Sequence, residues 1–523
     1  MVNHYTPSKK RRTDDAYSPG GKCLRPDRAV LVYTDLLHRS VPHVPIVIGG
    51  VEASLRRFAH YDYWSDKVRQ SILADAPADL LVFGMGERPL LEIASILSKE
   101  QKSKETEKSN GKTQLPDPLY NVPGTVVKRT VKEFKTFLTE KIGSFFDESS
   151  TVLLPSFSEV SSDGHAFMQA ERLIIRHQNP TQNIRLIQPH PKTVIVQNPP
   201  SFPLSTHELD TVYGLPYKRL PHPSYTESIP AFETVKDSIT SHRGCYGNCS
   251  FCAIGLHQGR IVQSRSRESI LDEVRRLTNQ PHFSKTIRDI GGPTANMYGS
   301  WCERWKMSGA CIDKECIGCR SLHLSQDMYL SLLEQAAQIP SVKHVFIGSG
   351  LRHDLIMMED VLERFVPYIS GQMKVAPEHI SDSVLHHMNK PPSSVFKEFI
   401  IEFDRIQKKH YGKSSKKQYI IPYLMSGHPG CTISDMVELV EFLHEKSMYT
   451  EQVQDFTPTP MTLSTAMFYT GLCMTGTDIH VPAQEEKRIQ RALLGYKDPH
   501  NRKRVLSGLE MAQRLDLLRL LDR

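Results

Sequence analysis

The chain has 523 residues, 39% of them apolar and 24% charged, with a formal net charge of +7. That length exceeds what one ordinary core buries and predicts two or three domains, while the modest positive excess is what a solvated surface carries without nucleic acid. No apolar run approaches the ~20 residues that span a bilayer, and Met1-Val2-Asn3-His4-Tyr5 lacks the apolar stretch of an export signal, so a cytoplasmic protein with no membrane partner is expected.

Residues 1–28 are polar and basic, with Lys9-Lys10-Arg11-Arg12 read as a solvated run. Ala29–Tyr33 and Val44–Gly50 then read as buried strands, Glu52–His60 as a helix, Asp79–Gly84 as a third strand, and a further helix runs through Leu97. Strands alternating with helices predict a doubly wound parallel sheet over 1–98. The turns at Gly49-Gly50 and Gly84-Met85-Gly86-Glu87 fall where such sheets bind ligands, although plain strand-to-helix turn chemistry accounts for them equally well. Residues 99–130 are rich in Glu, Lys, Gln and Ser and read as a mobile polar insertion. Residues 131–230 read as a bridging segment with strands Thr151–Leu154 and Lys192–Gln197 and a helix Ala166–Arg176.

From 231 to 470 the alternation resumes. Strands are expected at Asp237–Thr240, Thr286–Ile290, Val342–Ile347, Met373–Glu378, Tyr419–Met425 and Glu451–Phe456. Between them lie a helix capped by Ser266, with Ile270, Leu271, Val274 and Leu277 on one face, and a helix Gln326–Gln338. Six such units, each ending its strand in small or polar residues, predict a partial (β/α)6 barrel with ligands at the C-terminal strand ends. Residues 471–523 are basic and read as helical, with Leu506, Leu509, Leu517 and Leu520 on a packing face.

Seven of the ten cysteines fall in two groups between 245 and 319, which in a large chain with no export signal points to metal ligation rather than disulfides. Cys245-Tyr246-Gly247-Asn248-Cys249-Ser250-Phe251-Cys252 places three thiols in one loop with spacing C-x3-C-x-aromatic-C. Thiolates suit iron–sulfur chemistry, and three of them leave one iron of a four-iron cluster without a protein ligand. Zinc with a distant fourth ligand, or an unligated loop, are the competing readings. The second group, Cys302, Cys311, Cys316 and Cys319, is inserted within residues 300–320 and offers four thiols, enough for a second iron–sulfur cluster or a closed zinc site.

The first spacing resembles the signature of the radical S-adenosylmethionine superfamily. Several longer stretches resemble one of its members, the YgiQ family: Asp14–Pro19, Gly49–Arg57, Ala59–Asp66, Gly259–Ser266, Gly291–Tyr298, Ala376-Pro377-Glu378-His379 and Gln454–Pro460. The resemblance implies that Cys245, Cys249 and Cys252 hold a 4Fe–4S cluster whose remaining iron binds S-adenosylmethionine. It implies reductive cleavage to a 5′-deoxyadenosyl radical that acts on an unknown substrate, with flavodoxin or ferredoxin as electron donor. Phe251 would lie near the adenine, and Gly291 and Gly292 would stand in the Gly-Gly-Glu loop that meets the cofactor's amino group, here with Pro293 in place of the glutamate. Ser349, Arg352 and Glu378 become candidates for the cofactor's ribose and carboxylate. The first 98 residues resemble the second half of a cobalamin-binding-like domain lacking its first strands, and no Asp-x-His-x-x-Gly pattern is present, so a cobalamin role is not expected. Two alternatives remain at this stage: methylthiotransferase-like group transfer through a second cluster, or a non-catalytic metal-bearing RNA-binding protein, suggested by the C-terminal basic segment and Lys413–Lys417.

Overall fold

Six strands drawn from residues 47 to 197 form one sheet in a computed structural model that describes residues 4–106, 116–132, 150–311, 315–412, 417–448 and 453–521. The strands in chain order are β1 (Val47–Ile48), β2 (His60–Asp62), β3 (Lys67–Arg69), β4 (Leu80–Val82), β5 (Thr125–Thr130), β6 (Thr151–Leu153), β7 (Arg185–Pro189) and β8 (Thr193–Gln197). The large sheet runs β1-β4-β5-β8-β7-β6, with β2 and β3 as a separate antiparallel pair.

The wholly parallel sheet expected from sequence is corrected to a mixed one. Only β1 with β4 and β6 with β7 run parallel, whereas β4–β5, β5–β8 and β7–β8 are antiparallel. Three residues separate β7 from β8, a connection too short for the crossover that parallel neighbours need. Nor does the sheet stop at residue 98: the stretches read as insertion and bridge contribute β5 to β8.

Two local expectations in this region are also corrected. Ala29–Tyr33 is not a strand but the start of a helix, Ala29–Ser40. Val30 and Leu31 pack toward the core and Thr34 is buried, while Val32, Tyr33, Leu36 and Leu37 face outward, a helical division that an unbroken apolar run conceals. The helix expected over Glu52–His60 shrinks to Gly50–Ser54, because Arg57 turns inward to donate to the Ser54 carbonyl at 2.7 Å and to Gln197 at 2.6 Å. The helix read as ending at Leu97 continues to Thr106, taking in the start of the polar insertion. Residues 107–115 of that insertion lie outside the described residues.

Parallel pairing dominates the second half. The strands are β9 (Ser238–Thr240), β10 (His242–Arg243), β11 (Gln263–Ser264), β12 (Thr286–Ile287), β13 (Asp289–Gly291), β14 (His344–Val345), β15 (Gln372–Glu378), β16 (Tyr419–Ser426) and β17 (Val453–Asp455). Parallel pairs join β9 to β13, β12 to β14, and β15 to β16 to β17. A single parallel bridge, Leu351 to Val375, extends the pairing, and β10–β11 is a short antiparallel pair. Ile239, Ile290, Val345, Val375 and Leu424 of these strands share one core with Val274, Leu333, Phe399 and Leu439 of the surrounding helices.

The strand expected at Thr286–Ile290 breaks at Arg288, and that at Val342–Ile347 reduces to two residues. The helices at Arg267–Thr278 and Gln326–Ala337 lie where the sequence puts them, and Ser266 accepts from the Ser269 amide as the N-cap. The C-terminal leucine face is corrected: helices Gln484–Leu494 and Arg502–Met511 and a 3-10 segment Leu515–Leu521 are separate elements. Leu509 and Leu517 are buried but Leu506 is 36% exposed, and the Leu520 side chain is outside the described residues, as are 413–416 of the basic loop and Glu451 and Gln452. Among the described residues no helix is long and apolar enough to cross a membrane.

Candidate functional site

The cysteine loop leaves β10 and enters the short helix Ile254–His257. Its backbone is tied down on both sides. The Cys245 amide donates to the Gly259 carbonyl at 3.1 Å, the Ser250 amide to the Met388 carbonyl at 3.0 Å, and the Ser464 amide to the Ser250 carbonyl at 3.0 Å. Asn389 donates its side-chain amide to the Asn248 carbonyl at 2.9 Å.

Two glycines permit this path. Gly244 has φ +84°, and a Cβ there would stand 2.1 Å from the Ile261 carbonyl oxygen. A Cβ on Gly247 would stand 2.5 Å from Nη1 of Arg352.

The three thiols are gathered on this loop. Burial pushes the Cys245 thiol up, with Cys249 adding to it, and pushes Cys252 up to about 12, where Cys249, Cys245 and Glu378 all add. Without a cationic core, therefore, these two groups are neutral thiols, and ligation would have to supply the energy that ionises them. Positive charge stands ready: Arg352 Nη1 lies 3.8 Å from Cys249 Sγ, and Arg352 and Lys390 both lower the Cys245 pKa.

Arg352 is buried and forked onto Asp354, with Nε to Oδ1 at 3.0 Å and Nη2 to Oδ2 at 2.7 Å. Burial alone would raise the Asp354 carboxyl, but the Arg352 charge and hydrogen bonds hold it at about 2. Glu378 ends β15 opposite Leu424 with φ +68° and is buried; its carboxyl has no hydrogen-bond partner among the described residues, and burial raises its pKa against the pull of Lys390 and Arg352. Lys390 donates to the Ala376 carbonyl at 2.5 Å.

The other expected residues fall on the flanks. Gly291 pairs with Thr240 in β13, and its carbonyl accepts from the Ser241 amide at 2.7 Å and from Ser241 Oγ at 3.1 Å. Gly292 lies against the His242 ring, 2.6 Å from where its Cβ would be. Ser349 donates its hydroxyl to Asp289, whose other oxygen accepts the Gly348 and Ser349 amides at 2.9 and 3.0 Å. On the far side, Phe251 meets His428 edge-on at 6.3 Å, and His428 is joined to Ser464 at 2.7 Å.

Sequence reasoning missed several residues that complete this arrangement. Asp354 holds Arg352, and Asn296 exchanges two hydrogen bonds with the Arg352 backbone at 2.9 and 3.0 Å. His242 is fully buried and held near pKa 4 by burial, and its Nε2 has no partner among the described residues.

The two glycine turns of the first sheet also reach this region. Ser54 accepts from the Gly84 amide at 3.0 Å and contacts His257 Nδ1 at 3.0 Å, while Arg243 donates to Glu87 at 2.6 Å. The second cysteine group lies beside the first loop: Cys302 and Cys316 share an apolar cluster with Trp305 and Tyr246, against which Cys245 packs. Among the described residues no three His, Cys, Asp or Glu side chains converge tightly enough for one metal ion. A cubane does not require that convergence, since its thiolates bind separate irons.

Residues 1–238 match the family model described as Radical SAM N-terminal, and residues 451–520 match one described as a domain of unknown function, DUF3362. Curated relatives named UPF0313 protein include one from Methanosarcina acetivorans, 49% identical over 99% of this chain and 70% of its own length. Another, from Methanosarcina mazei, is 48% identical over 99% of this chain and 85% of its own length. A Clostridium botulinum relative is 44% identical over 99% of this chain and 78% of its own. Among solved structures, the radical S-adenosylmethionine methyltransferase TsrM from Kitasatospora setae aligns with a TM-score of 0.41 at 13% identity, over 82% of this chain and 60% of that one. The cobalamin-dependent enzyme OxsB aligns at 0.42 and 11%, over 85% of this chain and 45% of that one.

Proposed function

The chain belongs to the UPF0313 (YgiQ) family, and we propose that it is a radical S-adenosylmethionine enzyme whose cluster is held by Cys245, Cys249 and Cys252. When bound, the cluster and S-adenosylmethionine supply hydrogen-abstracting radical chemistry. The rest falls to this chain: it must bind, orient and keep water out.

The observation that carries this reading is the loop itself. Three thiols sit on a backbone held by three backbone hydrogen bonds, wrapped closely enough that Gly247 leaves no room for a Cβ beside Arg352. The donor set fits a four-iron cluster with one iron left for a small-molecule ligand. Three thiolates concentrate negative charge, and Arg352 at Cys249 with Lys390 nearby offsets it.

The cofactor candidates divide by how committed they already are. Arg352 spends its fork on Asp354 and presents Nη1 to Cys249, so its role is to position the loop. Ser349 spends its hydroxyl on Asp289, which also accepts the Gly348 and Ser349 amides, and so holds its own turn against β13. Glu378, within electrostatic reach of Cys252, has a carboxyl with no hydrogen bond among the described residues, and takes a cofactor hydroxyl or amino group. Phe251 supplies an apolar edge for the adenine.

The parallel pairs β9–β13, β12–β14 and β15–β16–β17 are read as arcs of one partial barrel, with Leu351–Val375 joining two of them. The Gly291-Gly292 turn, Ser349 and Glu378 follow or end strands of that set, and the cysteine loop follows β9 by way of the short β10; that is the face at which such barrels gather ligands. A one-electron donor of the flavodoxin or ferredoxin class completes the system.

The test is spectroscopic. After anaerobic reconstitution and reduction, adding S-adenosylmethionine should change the electron paramagnetic resonance signal of the cluster, and Cys249→Ala should abolish both the signal's cofactor response and the iron that produces it. A reduced cluster whose spectrum ignores S-adenosylmethionine would overturn the reading.

A further inference from the structure

Four thiols outside the proposed radical site occur together in 18 residues of sequence, Cys302 to Cys319. Cys302 and Cys316 are buried at 8% and 7% exposure in the same apolar cluster as Tyr246, Val262, Met297, Trp305 and Leu355. Tyr246 is the residue next to Cys245, and its ring lies 6.0 Å from that of Trp305. One side-chain layer therefore separates the two cysteine groups.

The segment bearing these thiols is anchored. Asn179 donates to the Ser308 carbonyl at 2.5 Å, and Arg260 donates to the Cys311 carbonyl at 2.7 Å. The Cys319 amide donates to the Cys316 carbonyl at 3.0 Å, and Trp301 pairs with His323 across the base of the insertion. Cys302 and Cys316 lie in one apolar cluster, and the turn closed by the Cys319 amide on the Cys316 carbonyl keeps Cys319 beside Cys316. Arg304 reaches Cys311 Sγ at 3.9 Å and Arg260 holds the Cys311 carbonyl, so two cationic groups flank the thiols.

We propose that Cys302, Cys311, Cys316 and Cys319 bind a second iron–sulfur cluster, in magnetic and electronic contact with the first across the Tyr246–Trp305 layer. This rests on the reading of the first loop as a cluster site. A structural zinc needs every sulfur about 2.3 Å from one centre, whereas a cluster takes one thiolate per iron. The thiols stand beside the first cysteine loop, where zinc, which has no redox chemistry, would exchange nothing with a neighbouring cluster and a second iron–sulfur cluster can exchange an electron. Four protein ligands leave no iron for a substrate, so the site's chemistry is to accept one electron from an external low-potential donor protein and release one to its neighbour, with no bond made or broken.

Iron, sulfide and zinc counts on anaerobically reconstituted full-length protein test this. The expected result is about eight irons per chain in the wild type. The fourfold variant Cys302→Ala/Cys311→Ala/Cys316→Ala/Cys319→Ala and the triple variant Cys245→Ala/Cys249→Ala/Cys252→Ala should each keep about four. A fourfold variant that retains all the wild-type iron, or wild type carrying one zinc at these thiols, overturns the second cluster. A triple variant that retains all the wild-type iron instead overturns the reading of the first loop. Should the fourfold variant fail to fold, the reduced wild-type spectrum decides: two clusters one side-chain layer apart give spin–spin broadening, and a single unbroadened signal with four irons excludes the second.

Discussion

Gly247 is a position where the candidate site tolerates little change. An added methyl would stand 2.5 Å from Nη1 of Arg352, the guanidinium that the Asp354 fork prevents from moving away. Gly247→Ala should therefore fold normally but retain less iron than wild type after reconstitution, measured as the iron-to-protein ratio. Removing the brace itself has a different signature. Asp354→Ala leaves a buried guanidinium uncompensated, which costs about 3–5 kcal/mol in comparable ion pairs, and chemical denaturation should show it even in the apoprotein.

A third residue gives a pH prediction away from the cysteines. Glu171 is buried on the helix Gly164–Arg176, and burial pushes its carboxyl up to about 8 from the ordinary 4.5, with Arg57 only partly opposing. A raised carboxyl stabilises the fold fully below its unfolded value of 4.5 and loses that stabilisation as pH rises through about 8. Between those limits this group contributes a decline of at most about 1.4 kcal/mol per pH unit. Glu171→Gln should flatten the stability profile over that window, as read by urea midpoints at several pH values. At this scale the thiols and glycines of the loop were legible, because they are close in sequence and their spacing is itself chemical information. Asp354, Asn296, Lys390 and His242 were not, since only the folded chain brings them to the loop and no spacing rule connects them to it.

Among the elements, the helix Arg267–Thr278 was read correctly because its signals agree. Ser266 caps it, its apolar residues recur at helical spacing, and Ile270, Leu271, Val274 and Leu277 are all buried. Ser266→Ala should cost about 1 kcal/mol of stability without touching the site, which a denaturation curve would register. Ala29–Tyr33 failed because five apolar residues in a row suit a buried strand or one turn of helix equally, and only the burial of Thr34 with exposure of Tyr33 reveals the period. Strands β5 and β7 were missed for another reason. Thr125–Thr130 follows a charged, low-complexity stretch and Arg185–Pro189 ends in proline, so local composition outweighed the central positions that pairing gives them.

For the whole molecule, the sheet of residues 47–197 and the cysteine loop form one construction. Ser54 links the Gly84 turn to His257, and Arg243, two residues before Cys245, is fastened to Glu87. Arg57 of the first half donates to Gln197 and meets Met461 near the end of the second. Alternation of strands and helices predicted an α/β protein with its thiols at strand ends, and that much was visible in the sequence. The mixed pairing was not, because strand direction depends on connections and partners rather than on residue pattern. The central claim, that this framework presents three cysteines for radical chemistry on S-adenosylmethionine, has one direct measurement. Reconstituted protein is mixed with S-adenosylmethionine and a strong reductant without oxygen, and 5′-deoxyadenosine is quantified against the Cys245→Ala/Cys249→Ala/Cys252→Ala variant. Wild type should release it steadily and the variant not at all; equal release from both, or none from wild type carrying its full iron, would contradict the account.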